Sequence, residues 1–92
     1  MPRPTVTIHR VGGNLLFERS ILALGLDVTL MSRVLGEVLL RSGSTPMRAS
    51  PDDIGLVMPE IERRMLLIAP FEQVSPGLAR LRRVLLTWEA TG

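Results

Sequence analysis

Apolar residues recur every three or four positions over most of the chain, which is the spacing of amphipathic helices. In the first half, residues 15–24 predict a short helix that ends at Gly25. Asp27 or Thr29 then caps a second helix, which runs to about Arg41. The polar side of this second helix is so narrow that we expect it to lie at the centre of the fold. The buried side of the first helix is expected to consist of Leu15, Phe17, Ile21, Leu22 and Leu24.

Serine, proline and glycine mark the element boundaries in the second half. A loop at residues 42–49 has the composition of a linker and separates the two halves of the chain. Residues 50–53 (SPDD) predict a helix start, and Pro59 predicts a kink or a restart within that helix. The helical pattern ends at Pro70. A second Ser-Pro pair at residues 75–76 then predicts the start of the last helix.

The last helix carries an apolar seam at spacings of three and four, formed by Leu78, Leu81, Leu85 and Trp88. A seam of this kind is typical of helices that pack along their length. The second half is therefore predicted to form a helical hairpin. The same four residues are candidates for an interface with another chain.

A different pattern precedes the helices. Residues 4–11 alternate between polar and apolar and are mostly β-branched, which predicts a short β-strand. Pro4 restricts such a strand to a sheet edge or to pairing with another chain. Val6 and Ile8 would form its apolar face, and they are the second set of candidate interface residues.

Together these patterns predict one mainly α-helical domain over residues 1–92. It would contain about four helices in two pairs and a short N-terminal β-strand, which pairs across a homodimer or lies on a sheet edge. Residues 1–41 hold the strand and one helix pair, residues 42–49 the loop, and residues 50–92 the helical hairpin.

Composition adds that this domain has more apolar surface than it can bury. Hydrophobic residues make up 46% of the 92 positions, while aromatic residues make up only 3%. A chain this short leaves a large share of its surface in contact with solvent. We therefore expect an exposed apolar patch that a partner or a second copy covers.

The side chains that usually carry catalysis are scarce. The sequence has one histidine, His9, and no cysteine, lysine or tyrosine. Asp52 and Asp53 are explained by helix capping, and no metal-ligand spacing is present. We therefore predict no enzymatic activity, no cofactor, no metal and no small-molecule substrate.

All basic residues are arginine, and the net charge is only +2. Arg80, Arg82 and Arg83 form either a solvated face or a contact for phosphate or an acidic partner. No apolar run is long enough to span a membrane, and the N-terminal pattern is unlike a signal peptide. We expect a cytoplasmic protein.

Residues 3–41 resemble the ribbon-helix-helix family of dimeric bacterial repressors. The resemblance lies in the segment RPTVTI at residues 3–8, followed by a short helix and by the segment GLDVTLM at residues 25–31. It implies that the strand pairs with its copy from a second subunit. Arg3, Thr5 and Thr7 would then face the bases, and the amide end near Thr29 would meet the DNA backbone.

Residues 17–36 also fit a helix-turn-helix frame with Gly25 in the turn. In this frame the second helix would offer Thr29, Ser32 and Arg33 to DNA. We therefore carry two hypotheses. The first is a protein-interaction module that acts as a homo-oligomer, as an adaptor, regulator or assembly subunit. The alternative is a DNA-binding transcriptional regulator.

Overall fold

Five helices follow one another along residues 15–91, the part of the chain that the computed structural model describes. We number them from α1, at residues 15–24, to α5. The others are α2 (Val28–Arg41), α3 (Pro51–Leu56), α4 (Met58–Leu66) and α5 (Phe71–Thr91). This stretch contains no strand, so the mainly helical prediction is confirmed for it. The predicted strand at residues 4–11 lies outside the described residues.

The turn between α1 and α2 forms where the sequence predicted it. Gly25 adopts a φ of 79°, a left-handed conformation that glycine enters without steric cost. Asp27 caps α2, since its Oδ1 accepts a 3.0 Å hydrogen bond from the backbone N–H of Leu30. The buried face of α2 is formed by Met31, Val34, Leu35, Val38 and Leu39.

The loop after α2 begins with a Schellman motif. The N–H of Gly43 donates to the Leu40 carbonyl, and the N–H of Ser44 donates to the Leu39 carbonyl. Gly43 has a φ of 93° at the position where this motif requires a left-handed residue. The motif satisfies carbonyl groups at the end of α2 and turns the chain toward α3.

Helix α3 starts where residues 50–53 predicted, and its start is a capping box. The Ser50 hydroxyl accepts from the N–H of Asp53 at 3.2 Å, and Asp53 Oδ2 accepts from the N–H of Ser50 at 3.0 Å. The Ser44 hydroxyl donates to the same carboxylate at 3.3 Å, which ties the loop to the helix. The Ser50 N–H is the main reason that the pKa of Asp53 lies below its ordinary value of 3.8.

Pro59 produces a restart rather than a kink, and this gives five helices where the sequence predicted about four. α3 ends at Leu56, Val57 forms the junction, and α4 begins at Met58. Pro59 is then the second residue of α4, where its missing N–H costs nothing because first-turn donors have no partner within the helix.

The predicted start of the last helix at Ser75–Pro76 is wrong. α5 begins at Phe71, and the Pro70 carbonyl accepts hydrogen bonds from the N–H groups of Gln73 and Val74. Pro76 therefore lies inside the helix, where it lacks the N–H that would bond to the Glu72 carbonyl. The earlier start buries Val74 completely, which helps to offset the lost bond.

Helix α5 packs against both α3 and α4, and α2 packs against α4. α1 meets α5 at a very close backbone approach, because a Cβ added at Gly77 would overlap the carbonyl oxygen of Leu24. Most large side chains of the core are aliphatic, and it includes the fully buried Leu24, Leu35 and Leu81. Leu22, expected inside, is 63% exposed.

Candidate interaction surfaces

The predicted seam of α5 belongs to the core of its own domain. Leu78 and Leu81 are buried, Leu85 is 9% exposed, and Trp88 is partly buried against the same core. These residues were candidates for an interface with another chain. The interface prediction is corrected for Leu78, Leu81 and Leu85, because their aliphatic side chains are buried in the core of their own domain. Trp88 is only partly buried, and the prediction for it stays a prediction.

The other predicted interface and DNA-contact residues divide into two groups, those before α1 and those on α2. The first group lies outside the described residues and consists of Val6, Ile8, Arg3, Thr5 and Thr7.

Thr29 and Arg33 are exposed on α2, close to the start of that helix. The carboxylate of Asp27 occupies the amide end that the ribbon-helix-helix resemblance assigned to phosphate, since it bonds the N–H of Leu30. A phosphate there would compete with this cap and meet a like charge.

Four exposed hydrophobic side chains lie within six residues where α4 turns into α5. They are Leu66, Leu67, Ile68 and Phe71, and we call them the apolar corner. Leu67 is 81% exposed and Phe71 is 61% exposed. The sequence pattern predicted that the helix would continue to Pro70. Instead α4 ends at Leu66, Leu67 and Ile68 follow in a turn, and Phe71 begins α5.

A groove of about 750 Å³ runs between α5 and the junction of α3 with α4. Leu56, 80% exposed, and Leu86, 72% exposed, line it, together with Pro59 and Arg82. Asp52 also lines this groove, so it carries both signs of charge.

A third surface lies between α1 and α5, and we call it the arginine-rimmed cleft. Its arginines are Arg19, Arg80 and Arg83, and its apolar lining is Leu22, Ala23 and Val84. The cleft measures about 470 Å³. Arg80 is fixed there by a 2.7 Å hydrogen bond from Nε to the Ala23 carbonyl oxygen.

The sequence had grouped Arg80, Arg82 and Arg83 as one set. The structure separates them: Arg80 and Arg83, three positions apart, face α1, while Arg82 lines the groove on the α3 side. The spacing of three between Arg80 and Arg83 already indicated that these two share a helix face without Arg82. The contribution of Arg19 and the bond to Ala23 had no sequence signal, since they depend on how α1 and α5 meet.

The ion pair between Glu37 and Arg64 connects two helices. Glu37 pairs with Arg64 of α4 at 2.9 Å, and Arg64 also contacts Glu60 at 3.4 Å. These contacts join α2 to α4 across a shared surface. Within residues 15–91, Glu37 makes no ion pair with Arg33 or Arg41, because Arg64 reaches it from the neighbouring helix.

Chemically reactive groups are few on these surfaces. Ser20 is the one fully buried polar side chain of the described core, and its hydroxyl donates to the Leu16 carbonyl at 2.8 Å. His9 lies outside the described residues. Over the described stretch no three histidine, cysteine or acidic side chains are grouped as metal ligands would be, and none of the helices there could cross a membrane.

No protein-family model matches the chain, and neither a curated protein nor a solved structure matches it significantly. Function is therefore inferred from the geometry and chemistry of the surfaces just described.

Proposed function

We propose that this protein is a non-enzymatic interaction module that acts as a homo-oligomer and carries the apolar corner as its interface. The observation that carries the proposal is the exposure of four hydrophobic side chains within six residues of the chain: Leu66, Leu67, Ile68 and Phe71. A grouped apolar surface of this kind is characteristic of protein interfaces, whereas isolated exposed leucines are ordinary. An adaptor, a regulator or an assembly subunit would all use such a surface.

Two features support a second copy of this chain as the occupant. The four members of the corner are uncharged, so a second copy can bury them against its own corner. The exposed Glu72, which follows Phe71, would have to lie at the polar rim of such an interface. Aromatic anchors such as Phe71 are enriched at the centres of interfaces. A two-fold interface would place Phe71 of one copy against the leucines of the other.

The test is sedimentation velocity over a wide range of protein concentration. The wild-type protein is expected to self-associate as concentration rises, and the double variant Leu67→Glu, Phe71→Glu is expected to stay monomeric. Leu40→Glu is the matched control, because Leu40 is 60% exposed on α2, outside the corner. It should associate as the wild type does.

Circular dichroism should show the same helix content for all three proteins, because the substituted side chains are already exposed. A wild-type protein that remains strictly monomeric at high concentration would contradict the proposal. So would equal self-association of the corner variant and the wild type.

A DNA-binding regulator is a second candidate, favoured by the connection between α1 and α2. Gly25 makes the tight turn at the position that the helix-turn-helix frame requires, and Thr29 and Arg33 are exposed on the second helix. The test is fluorescence anisotropy with random duplex DNA at low and moderate salt. A DNA-binding protein would lose affinity steeply as salt rises, because counterions are released.

Two variant sets would then locate the DNA contacts. Substituting Arg3 and Thr5 tests the ribbon, and substituting Thr29 and Arg33 tests the second helix. Absence of binding at low salt would exclude both arrangements.

A further inference from the structure

The arginine-rimmed cleft combines positive charge with an apolar floor. Arg19 comes from α1, and Arg80 and Arg83 come from α5 one turn apart. Between them, Leu22, Ala23 and Val84 form the floor. No acidic side chain is among the residues that line the cleft.

Its charges are also not neutralised by the rest of the described chain. Among the side chains that the structure describes, those of residues 15–88, the ion pairs involve Arg63 and Arg64, and neither Arg19 nor Arg83 takes part in one. Arginines kept close together without a carboxylate repel one another, and an acidic ligand would relieve that repulsion.

Arg80 is positioned before any ligand arrives. Its hydrogen bond to the Ala23 carbonyl uses Nε and fixes the plane of the guanidinium against the turn at Gly25. A side chain held in this way loses less conformational entropy on binding than a free one. Arginine also presents a rigid fork that matches a carboxylate.

We propose that this cleft binds an acidic amphipathic helix of a partner protein. An aliphatic side chain of that helix would lie on Leu22 and Val84. Carboxylates one turn away would pair with Arg19, Arg80 and Arg83. The apolar floor favours a peptide over nucleic acid, because a sugar-phosphate backbone gains nothing from aliphatic contact. The proposal adds a second surface to the interaction module, formed by residues that do not belong to the apolar corner.

The probe is a designed acidic helical peptide with leucine at every third or fourth position and glutamate at the remaining positions. Two further probes separate the contributions. The first is the same peptide with every leucine replaced by serine, and the second is a random DNA duplex. Binding is measured by fluorescence anisotropy, and the binding site is mapped by NMR amide shifts.

The leucine peptide is expected to shift amides of residues 19–24 and 80–87. The double variant Arg19→Glu, Arg83→Glu should bind it about tenfold more weakly or worse, since two attractions become repulsions. Arg82→Glu is the matched control, because it makes the same charge change on the same helix but lines the other groove. It should bind within about twofold of the wild type, as expected of a charge outside the site.

Several results would overturn the proposal. Equal weakening by Arg82→Glu and by the double variant would mean that only overall charge matters. Equal binding of the serine peptide would mean that the floor has no role. Tighter binding of the duplex, lost in the double variant, would assign the cleft to nucleic acid. Failure of every probe to bind would also overturn it. These variants leave the apolar corner unchanged. The peptide-binding proposal can therefore be contradicted while the self-association proposal is supported, and self-association can be contradicted while peptide binding is supported.

Discussion

Arg80 donates a 2.7 Å hydrogen bond from Nε to the backbone carbonyl oxygen of Ala23, so that a side chain of α5 satisfies the end of α1. Helix ends leave carbonyl groups without a partner inside the helix, and basic side chains commonly bond them. Here the cap comes from a helix far along the chain rather than from the next few residues. The contact therefore links the two halves that the sequence pattern had separated.

Replacing Arg80 with alanine should destabilise the domain. The carbonyl of Ala23 would lose a charged donor in a partly buried position, and we expect a cost of about 1–2 kcal/mol in the free energy of unfolding. Urea denaturation followed by circular dichroism measures this cost. Arg82→Ala is the control, because Arg82 is exposed and makes no hydrogen bond with any described residue. Equal stability of the two variants would show that the Ala23 contact contributes nothing.

Two glycine substitutions should change stability in opposite directions. In Gly77→Ala the new Cβ would overlap the carbonyl oxygen of Leu24, and the backbone there cannot move aside as a flexible side chain would. We expect a loss of about 1–3 kcal/mol.

In Gly36→Ala the nearest atom is the Pro46 Cγ at 3.9 Å, an ordinary contact. Alanine in the interior of α2 should then stabilise the protein by about 0.5–1 kcal/mol. Thermal unfolding of the two variants measures both effects. A stabilising Gly77→Ala would mean that α1 and α5 do not approach each other as described.

Asp53 should make stability fall at acid pH. Because the Ser50 N–H holds the pKa of Asp53 below 3.8 in the folded state, the carboxylate stabilises the fold fully above that ordinary value. The contribution is lost as pH falls below 3.8 and through the lower folded pKa. Urea unfolding of the wild type and Asp53→Asn, repeated from neutral to strongly acid pH, should show a difference that disappears at the acid end.

Asp52→Asn is the matched control for this pH experiment. It removes a charge from the same first turn of α3 but breaks no hydrogen bond within the described chain. Its effect at neutral pH should be smaller than that of Asp53→Asn. A difference between wild type and Asp53→Asn that persists unchanged at low pH would contradict the assignment.

The ion pair between Glu37 and Arg64 should contribute measurably, while that between Glu60 and Arg63 should not. The side chain of Arg64 is 21% exposed, whereas that of Arg63 is 75% exposed. A double-mutant cycle on Glu37 and Arg64 should give a coupling of about 0.5 kcal/mol that weakens with added salt. The same cycle on Glu60 and Arg63 should give about zero. A larger coupling energy for Glu60 and Arg63 than for Glu37 and Arg64 would show that side-chain exposure does not determine the strength of these pairs.

The sequence predicted those boundaries that depend on local chemistry. The turn at Gly25 and the helix start at residues 50–53 involve only residues near each other in the chain. The same holds for the cap of α2, which the sequence assigned to Asp27 or Thr29 and the structure assigns to Asp27. Pro59 was correctly identified as an interruption for the same reason.

Boundaries and contacts that depend on tertiary packing were not predictable in this way. The start of α5 at Phe71 depends on burying Val74 in the core. The helix start predicted from the Ser-Pro pair at residues 75–76 was therefore wrong. The partner of Glu37 is on another helix, and Leu78, Leu81 and Leu85 of the α5 seam are core residues rather than interface residues. The arginine-rimmed cleft needs α1 beside α5, an arrangement that periodicity does not specify.

The hydrogen bond from Arg80 to Ala23 spans 57 positions of the chain. Contacts between distant residues slow folding, because the entropy of closing a long loop is lost before the contacts form and stabilise the chain. A helix as short as α1, residues 15–24, is marginal in isolation, so α1 cannot reach its final place until α5 has been synthesised. Until then Leu24, which is fully buried beside Gly77 in the finished protein, stays exposed, and transiently exposed apolar segments are prone to aggregation.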